Sequence, residues 1–77
     1  MWSEGIITCP LTGVKYEYWV KHYEERSPFG IKGGRISKLT LRKVGESSDV
    51  VNYDRGWDIK PTDEVKAVYT IILSKYN

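Results

Sequence analysis

Cys9 and His22 each occur once in the chain, and a thiol beside an imidazole is the simplest nucleophile and base a protein can pair. Their positions argue against that chemistry. Both fall between Trp2 and Tyr23, which reads as a β-hairpin turning on Pro10-Leu11-Thr12-Gly13. If the turn seats Cys9 beside Val14, His22 lies about 26 Å further along the strand at roughly 3.3 Å per residue. A small buried thiol and a histidine at the edge of a sheet fit better, and a single cysteine has no partner for a disulfide or a zinc site. Asp54 and Asp58 flank Arg55 and Trp57, and paired carboxylates can divide general-acid and general-base work. In a turn, though, aspartates more often accept from main-chain N–H groups, with Arg55 neutralising one of them. Gly30-Ile31-Lys32-Gly33-Gly34-Arg35 has the composition of a phosphate cradle, since glycines let amides approach an anion that Lys32 and Arg35 would neutralise. It matches neither established phosphate-loop pattern, because no serine or threonine follows the lysine at the required spacing and no helix follows the loop. No catalytic residue, metal ligand or cofactor is expected.

What remains is binding. Arg26, Lys32, Arg35, Lys38, Arg42 and Lys43 run without an interposed acid, whereas Glu46, Asp49, Asp54 and Asp58 follow them, so charge is polarised although the net value is only +2. With Trp19, Tyr23 or Phe29 as stacking platforms, this basic run has the ingredients of weak single-strand nucleic-acid binding. Glu17, Glu24 and Glu25 dilute it, and the small net charge argues against nucleic acid as the main partner. Trp2, Trp19 and Tyr23 are the stronger signal, because tryptophan, tyrosine and arginine are the usual anchors of protein interfaces.

The elements that position these groups can be read from periodicity. Trp2 to Cys9 and Val14 to Tyr23 favour extended structure, and the register above sets Ile7 against Tyr16, Gly5 against Tyr18 and Ser3 against Val20 on one face. Trp2, Ile6, Trp19 and Tyr23 then fall on the other, among Glu4, Lys15, Glu17 and Lys21. Glu24 to Gly34 holds too many breakers for a regular element and is expected to be a loop of about ten residues carrying Phe29 and Ile31. Ile36 to Val44 alternates as a half-buried strand, and Val50 to Tyr53 is a shorter one. Pro61-Thr62-Asp63-Glu64 looks like a helix start, with a capping hydroxyl and acids at the positive end, and Val65, Val68, Tyr69, Ile72 and Tyr76 follow helical spacing. The expected fold is α+β: a four-stranded antiparallel meander with one C-terminal helix packed on one face. One helix covers one side of a sheet, so the rings on the reverse stay wet, pack beneath the Phe29 loop, or meet a partner.

At 77 residues a single domain spanning 1–77 is expected, hiding only about 60–65% of the surface its unfolded chain exposes. Hydrophobic residues at 40% supply enough apolar surface for a packed core, and the aromatic side chains provide much of its area in place of disulfides. No run approaches the roughly 18 apolar residues of a membrane span, and Met1-Trp2-Ser3-Glu4 lacks the pattern of a secretion signal, so a cytoplasmic protein without membrane association is expected.

Gly33-Gly34-Arg35-Ile36-Ser37-Lys38-Leu39, Asn52-Tyr53-Asp54-Arg55-Gly56-Trp57 and the Trp2-Ser3-Glu4-Gly5 opening resemble a family of short uncharacterised proteins from Gram-positive bacteria, their phages and mobile elements. The resemblance covers nearly the whole chain and carries no functional residues with it. It implies stoichiometric binding, including inhibition of host defence systems, rather than catalysis. The expected function is therefore non-catalytic binding of a protein partner, from the host or a second copy, with Trp2, Trp19, Tyr23, Arg35, Lys38, Arg55 and Trp57 as contacts. The alternative is capture of a nucleotide or other anionic small ligand by the Gly30–Arg35 loop through Lys32 and Arg35.

Overall fold

Pro10 to Gly13 turns the chain as its composition requires: Gly13 takes φ 77°, and the Cys9 N–H donates to the Val14 carbonyl at 2.8 Å. The computed structural model describes residues 1–77. Strands β1 (Trp2–Thr8) and β2 (Lys15–His22) pair antiparallel in the expected register, with Ile7 opposite Tyr16, Gly5 opposite Tyr18 and Ser3 opposite Val20. Tyr18 lies over Gly5 so closely that a Cβ there would sit 3.0 Å from its hydroxyl. Strands β3 (Ile36–Lys43), β4 (Asp49–Asp54) and β5 (Trp57–Ile59) continue an antiparallel meander in the order β1-β2-β3-β4-β5.

Five strands replace the expected four. The extra one is the three-residue segment Trp57–Ile59, which folds back on β4 with Trp57 opposite Tyr53. Three residues are too few to show an alternation of their own, and the turn chemistry of Asp54-Arg55-Gly56 masked the return. The helix α1 (Lys66–Tyr76) is entered through a single 3₁₀ turn, Asp63–Val65. Thr62 precedes that turn but its hydroxyl makes no capping bond; Asp63 and Glu64 instead pair with Lys66 at 3.2 Å and Lys43 at 3.3 Å.

Alternation decides the core. Tyr16, Tyr18 and Val20 from β2, Leu39 and Leu41 from β3, and Val51 and Tyr53 from β4 point to one side and are buried there under Val65, Val68, Tyr69 and Ile72. The segment from Tyr23 to Arg35 does not fold over the other side. It closes the end of the core: Ile31 is buried at 1% exposure inside a 3₁₀ turn (Ile31–Gly33), while Phe29 stays outside at 65%. Asn77 clamps the segment, its Nδ2 donating to the Ile31 carbonyl at 3.1 Å and its Oδ1 accepting from the Ile36 N–H at 3.0 Å, and Tyr53 Oη donates to the Phe29 carbonyl at 2.7 Å. Glycine is required at Gly30, where a Cβ would run into the Gly34 main chain, and a Cβ on Gly34 would displace the Asn77 amide. At the same end Tyr18 Oη and Tyr76 Oη share a 2.9 Å hydrogen bond, and that bond first, with burial second, pushes the Tyr18 phenol up to about 12.

Two stability measurements follow. Tyr16 is fully buried and its hydroxyl has no partner, so Tyr16→Phe removes a desolvated, unbonded group and should raise the unfolding free energy in urea by about 1 kcal/mol; a loss of stability would mean the hydroxyl is bonded. His22 sits against Tyr76, ring centroids 4.9 Å apart, with Ser3 Oγ 2.9 Å from its Nε2, and burial first, then the N-terminal ammonium and Arg35, lower its pKa. Below the ordinary value of about 6.5 the unfolded chain therefore takes up a proton that the folded one resists, and stability falls as pH drops through that window. Thermal unfolding at pH 7.5 and 5.5 should show this decrease in the native chain and a smaller one in His22→Gln.

Candidate functional site

The uncovered side of the sheet is built in rows set by strand pairing. One row reads Trp2, Lys21, Lys38, Asp54; the next Glu4, Trp19, Thr40, Asn52, Ile59; a third Ile6, Glu17, Arg42, Asp49. Trp2 and Ile6 are 58% and 62% exposed, and Trp19 is half-buried between them and β3. Trp19 is held from the β3 side: the Arg42 guanidinium lies 5.2 Å from its ring centroid, and Asp49 fixes Arg42 by accepting from Nε at 2.6 Å. The Arg42 hydrogen bond, assisted by one from Asn52 Nδ2 at 3.0 Å, holds the Asp49 carboxyl below its usual range against some desolvation. Lys21 Nζ stands 5.8 Å from the ring centroids of both Trp2 and Tyr23, joining those two aromatics across the corner of the face.

That corner opens into a cavity of about 250 Å³ where β2, β3, the 23–35 segment and the β4–β5 turn meet. Lys21 and Lys38 form its sheet side, directly opposite one another on neighbouring strands. Tyr23 and Arg35 enter from the two stems of the segment, joined by a Tyr23 N–H bond to the Arg35 carbonyl at 3.0 Å, and Ser27, Phe29 and Gly30 make the far wall. Arg55 closes the end from the tip of the β4–β5 turn. It adopts φ 55°, in the left-handed region where glycine is usual, and its N–H donates to the Ser37 carbonyl at 2.9 Å. Asp54 Oδ1 lies 3.8 Å from both Lys38 Nζ and Arg55 Nε, so one carboxylate faces two cations. Lys21 and Arg35 have no aspartate or glutamate carboxylate within 4.0 Å; Arg35 Nε donates to the Asn77 main-chain oxygen at 3.3 Å.

The candidates named from sequence are therefore sorted by geometry. Tyr23, Arg35, Lys38 and Arg55 line one cavity, and Trp2 and Trp19 share the face beside it. Trp57 turns the other way, to the rim of the core, edge-on to Tyr53 at 4.9 Å and to Tyr69 at 5.7 Å. Lys32 sits exposed at φ 52° in the 3₁₀ turn, outside the cavity. The glycine loop closes on itself: the N–H groups of Gly30, Gly33 and Gly34 donate to the carbonyls of Ser27, Gly30 and Ile31. Those three amides are thus unavailable to an anion. Lys21, Ser27 and Ser37 were not singled out from sequence; pairing of Lys21 with Lys38 depends on the β2–β3 register, which shifts at the bulge between Lys21 and His22.

Cys9 and His22 lie at opposite ends of β2, one bonded to Val14 beside the first turn and the other to Met1. Hydrogen bonds from the Thr12 side chain first, and then the Leu11 main chain, lower the Cys9 thiol, but it is buried at 1% exposure with no imidazole in reach. No three of the His, Cys, Asp and Glu side chains come close enough together to hold a metal ion, and no helix is long and apolar enough to cross a membrane.

No curated protein and no solved structure matches the chain. A protein-family model does, described as "Domain of unknown function (DUF7678)", and it is matched by residues 1–77. With its whole length inside that match, the chain belongs to the DUF7678 family.

Proposed function

We propose that this protein is a non-catalytic binding module that docks a partner protein on the uncovered face of its sheet. The observation that carries the reading is the exposure of Trp2 and Ile6 beside Trp19 on a side that no element of the chain covers. Large exposed apolar groups grouped on one side mark interaction surfaces, and Trp, Tyr and Arg dominate the energetics of such surfaces. Trp19 is pre-oriented by Arg42 and Asp49, so little freedom is lost when a partner closes on it. Beside the tryptophans the face carries Lys21 and Lys38, joined at the corner by Tyr23, Arg35 and Arg55, which favours a partner whose apolar contact is bordered by carboxylates. The narrower version is an accessory role in a phage or mobile element, by obstructing a host defence protein. It is supported by the resemblance to short proteins of Gram-positive bacteria and their phages, and by the fact that stoichiometric inhibition needs only a small scaffold with one adhesive face.

The test is a binary titration against the purified partner, first identified by cross-linking. Trp2→Ala and Trp19→Ala should each weaken the complex by roughly 30-fold, the scale of an interface hot spot, with an unchanged far-ultraviolet circular dichroism spectrum. Unaltered affinity in both variants would overturn the reading. A dimer seen by light scattering that dissociates in Trp2→Ala would assign the face to a second copy.

A further inference from the structure

We infer that the cavity at the corner of the open face is a binding site for a phosphoryl group, and that its ligand is a mononucleotide whose base remains outside. The inference stands independently of the protein-docking reading. Its foundation is the placement of Lys21 directly opposite Lys38 on adjacent strands. Like charges in that relation destabilise a sheet, and an antiparallel pair of strands has no geometric need for them. Here they converge on a cavity whose other cations are Arg35 and Arg55, with Asp54 near only two of the four. An anion seated between the lysines turns that repulsion into two charge-assisted contacts.

The position of Arg55 points the same way. An arginine held at φ 55° carries a backbone cost that glycine would avoid, and the left-handed turn is what brings its side chain to the end of the cavity. One hydroxyl completes a donor set suited to a tetrahedral oxyanion. Ser27 Oγ accepts from the Phe29 N–H at 3.1 Å, which leaves its own O–H to donate into the cavity, whereas the Ser37 hydroxyl already donates to the Lys21 carbonyl at 3.4 Å. The donors Lys21, Lys38, Ser27, Arg35 and Arg55 come from side chains on four elements, which places the site apart from the amides of the glycine loop.

Volume decides how much of the ligand enters. About 250 Å³ is below the 300–1,000 Å³ of sites that engulf a drug-sized molecule, so only the charged head is housed. At its rim stand two exposed rings, Tyr23 at 48% and Phe29 at 65%, on which a base stacks. A free phosphate uses the cations alone; a nucleoside monophosphate uses the cations and a ring.

The experiment is a set of amide-resolved NMR titrations of the whole chain with inorganic phosphate, adenosine monophosphate and adenosine, paired with thermal unfolding. Phosphate and the nucleotide should both move the amides of Lys21, Ser27, Ser37 and Arg55. The nucleotide should bind roughly tenfold tighter and also move those of Tyr23 and Phe29, and adenosine should do neither. Lys21→Met keeps the aliphatic stem and removes the charge. Without ligand it should melt higher than the native chain, because the Lys21–Lys38 repulsion is gone, and it should lose the phosphate-dependent rise in melting temperature. A lower melting temperature would overturn the repulsion on which the site rests. Absence of any amide shift with phosphate and nucleotide at low salt, equal affinity for adenosine, or phosphate shifts that persist in Lys21→Met would each overturn the site. Phosphate binding without a nucleotide gain would remove the ring and leave an oxyanion site only. An oligonucleotide binding far more tightly than the mononucleotide, with shifts reaching Trp19, would replace the mononucleotide with a single strand.

Discussion

A sheet has two faces, and this chain has one helix with which to cover them. At about 1.5 Å per residue the 11 residues of α1 extend roughly 16 Å, enough to cover one side of a narrow sheet. Every strand therefore divides its side chains between a dry side and a wet one. On the dry side three tyrosines of the strands, Tyr16, Tyr18 and Tyr53, supply large buried area, and two of them find hydrogen-bond partners at the ends of the core. On the wet side the same alternation brings out lysines, arginines and acids, as a solvated face should have, and with them Trp2, Ile6 and Trp19. Those three are the residues that alternation and solubility alone do not explain.

The end of the sheet is where closure of the core shapes the cavity. The segment from Tyr23 to Arg35 is fixed by Ile31 in the core, by the Asn77 amide, and by Tyr53 reaching the Phe29 carbonyl. Each of these contacts pulls the segment toward the helix side and away from the open face. The same anchoring leaves a gap between the segment and the two lysines of β2 and β3, so the cavity is a consequence of how the core is closed. Its walls concentrate features that cost stability: opposed lysines, a left-handed arginine and exposed rings. Concentration of such costs at one place is the usual mark of a site retained for something other than folding.

The β4–β5 turn shows how one short element serves both the core and the cavity wall. Trp57 packs edge-on to Tyr53 and Tyr69 and extends the aromatic core, while Arg55, two positions earlier, faces the cavity. A two-residue offset across a tight turn sends neighbouring side chains to opposite duties, and the composition of Asp54-Arg55-Gly56-Trp57 reveals the turn but not this division of labour.

Local chemistry by itself determined the first hairpin down to its register, because Pro10 and Gly13 dictate the turn and the turn dictates every pair from Ser3–Val20 to Ile7–Tyr16. It also determined the alternation of Ile36 to Lys43 and the amphipathic helix, whose signals lie within a few residues of one another. Of the eight residues put forward from sequence for binding of either kind, four, Tyr23, Arg35, Lys38 and Arg55, line one cavity. Tertiary structure alone decided that they converge, that Lys21 joins them, that Trp57 belongs to the core and that Lys32 stands apart. It also decided the fifth strand, since three residues acquire strand character only from the partner they lie against. The physical reason is range: turns, periodicity and capping act over a few residues, whereas a bulge between Lys21 and His22 and a clamp between Asn77 and Ile31 are settled only when distant segments compete for the same space.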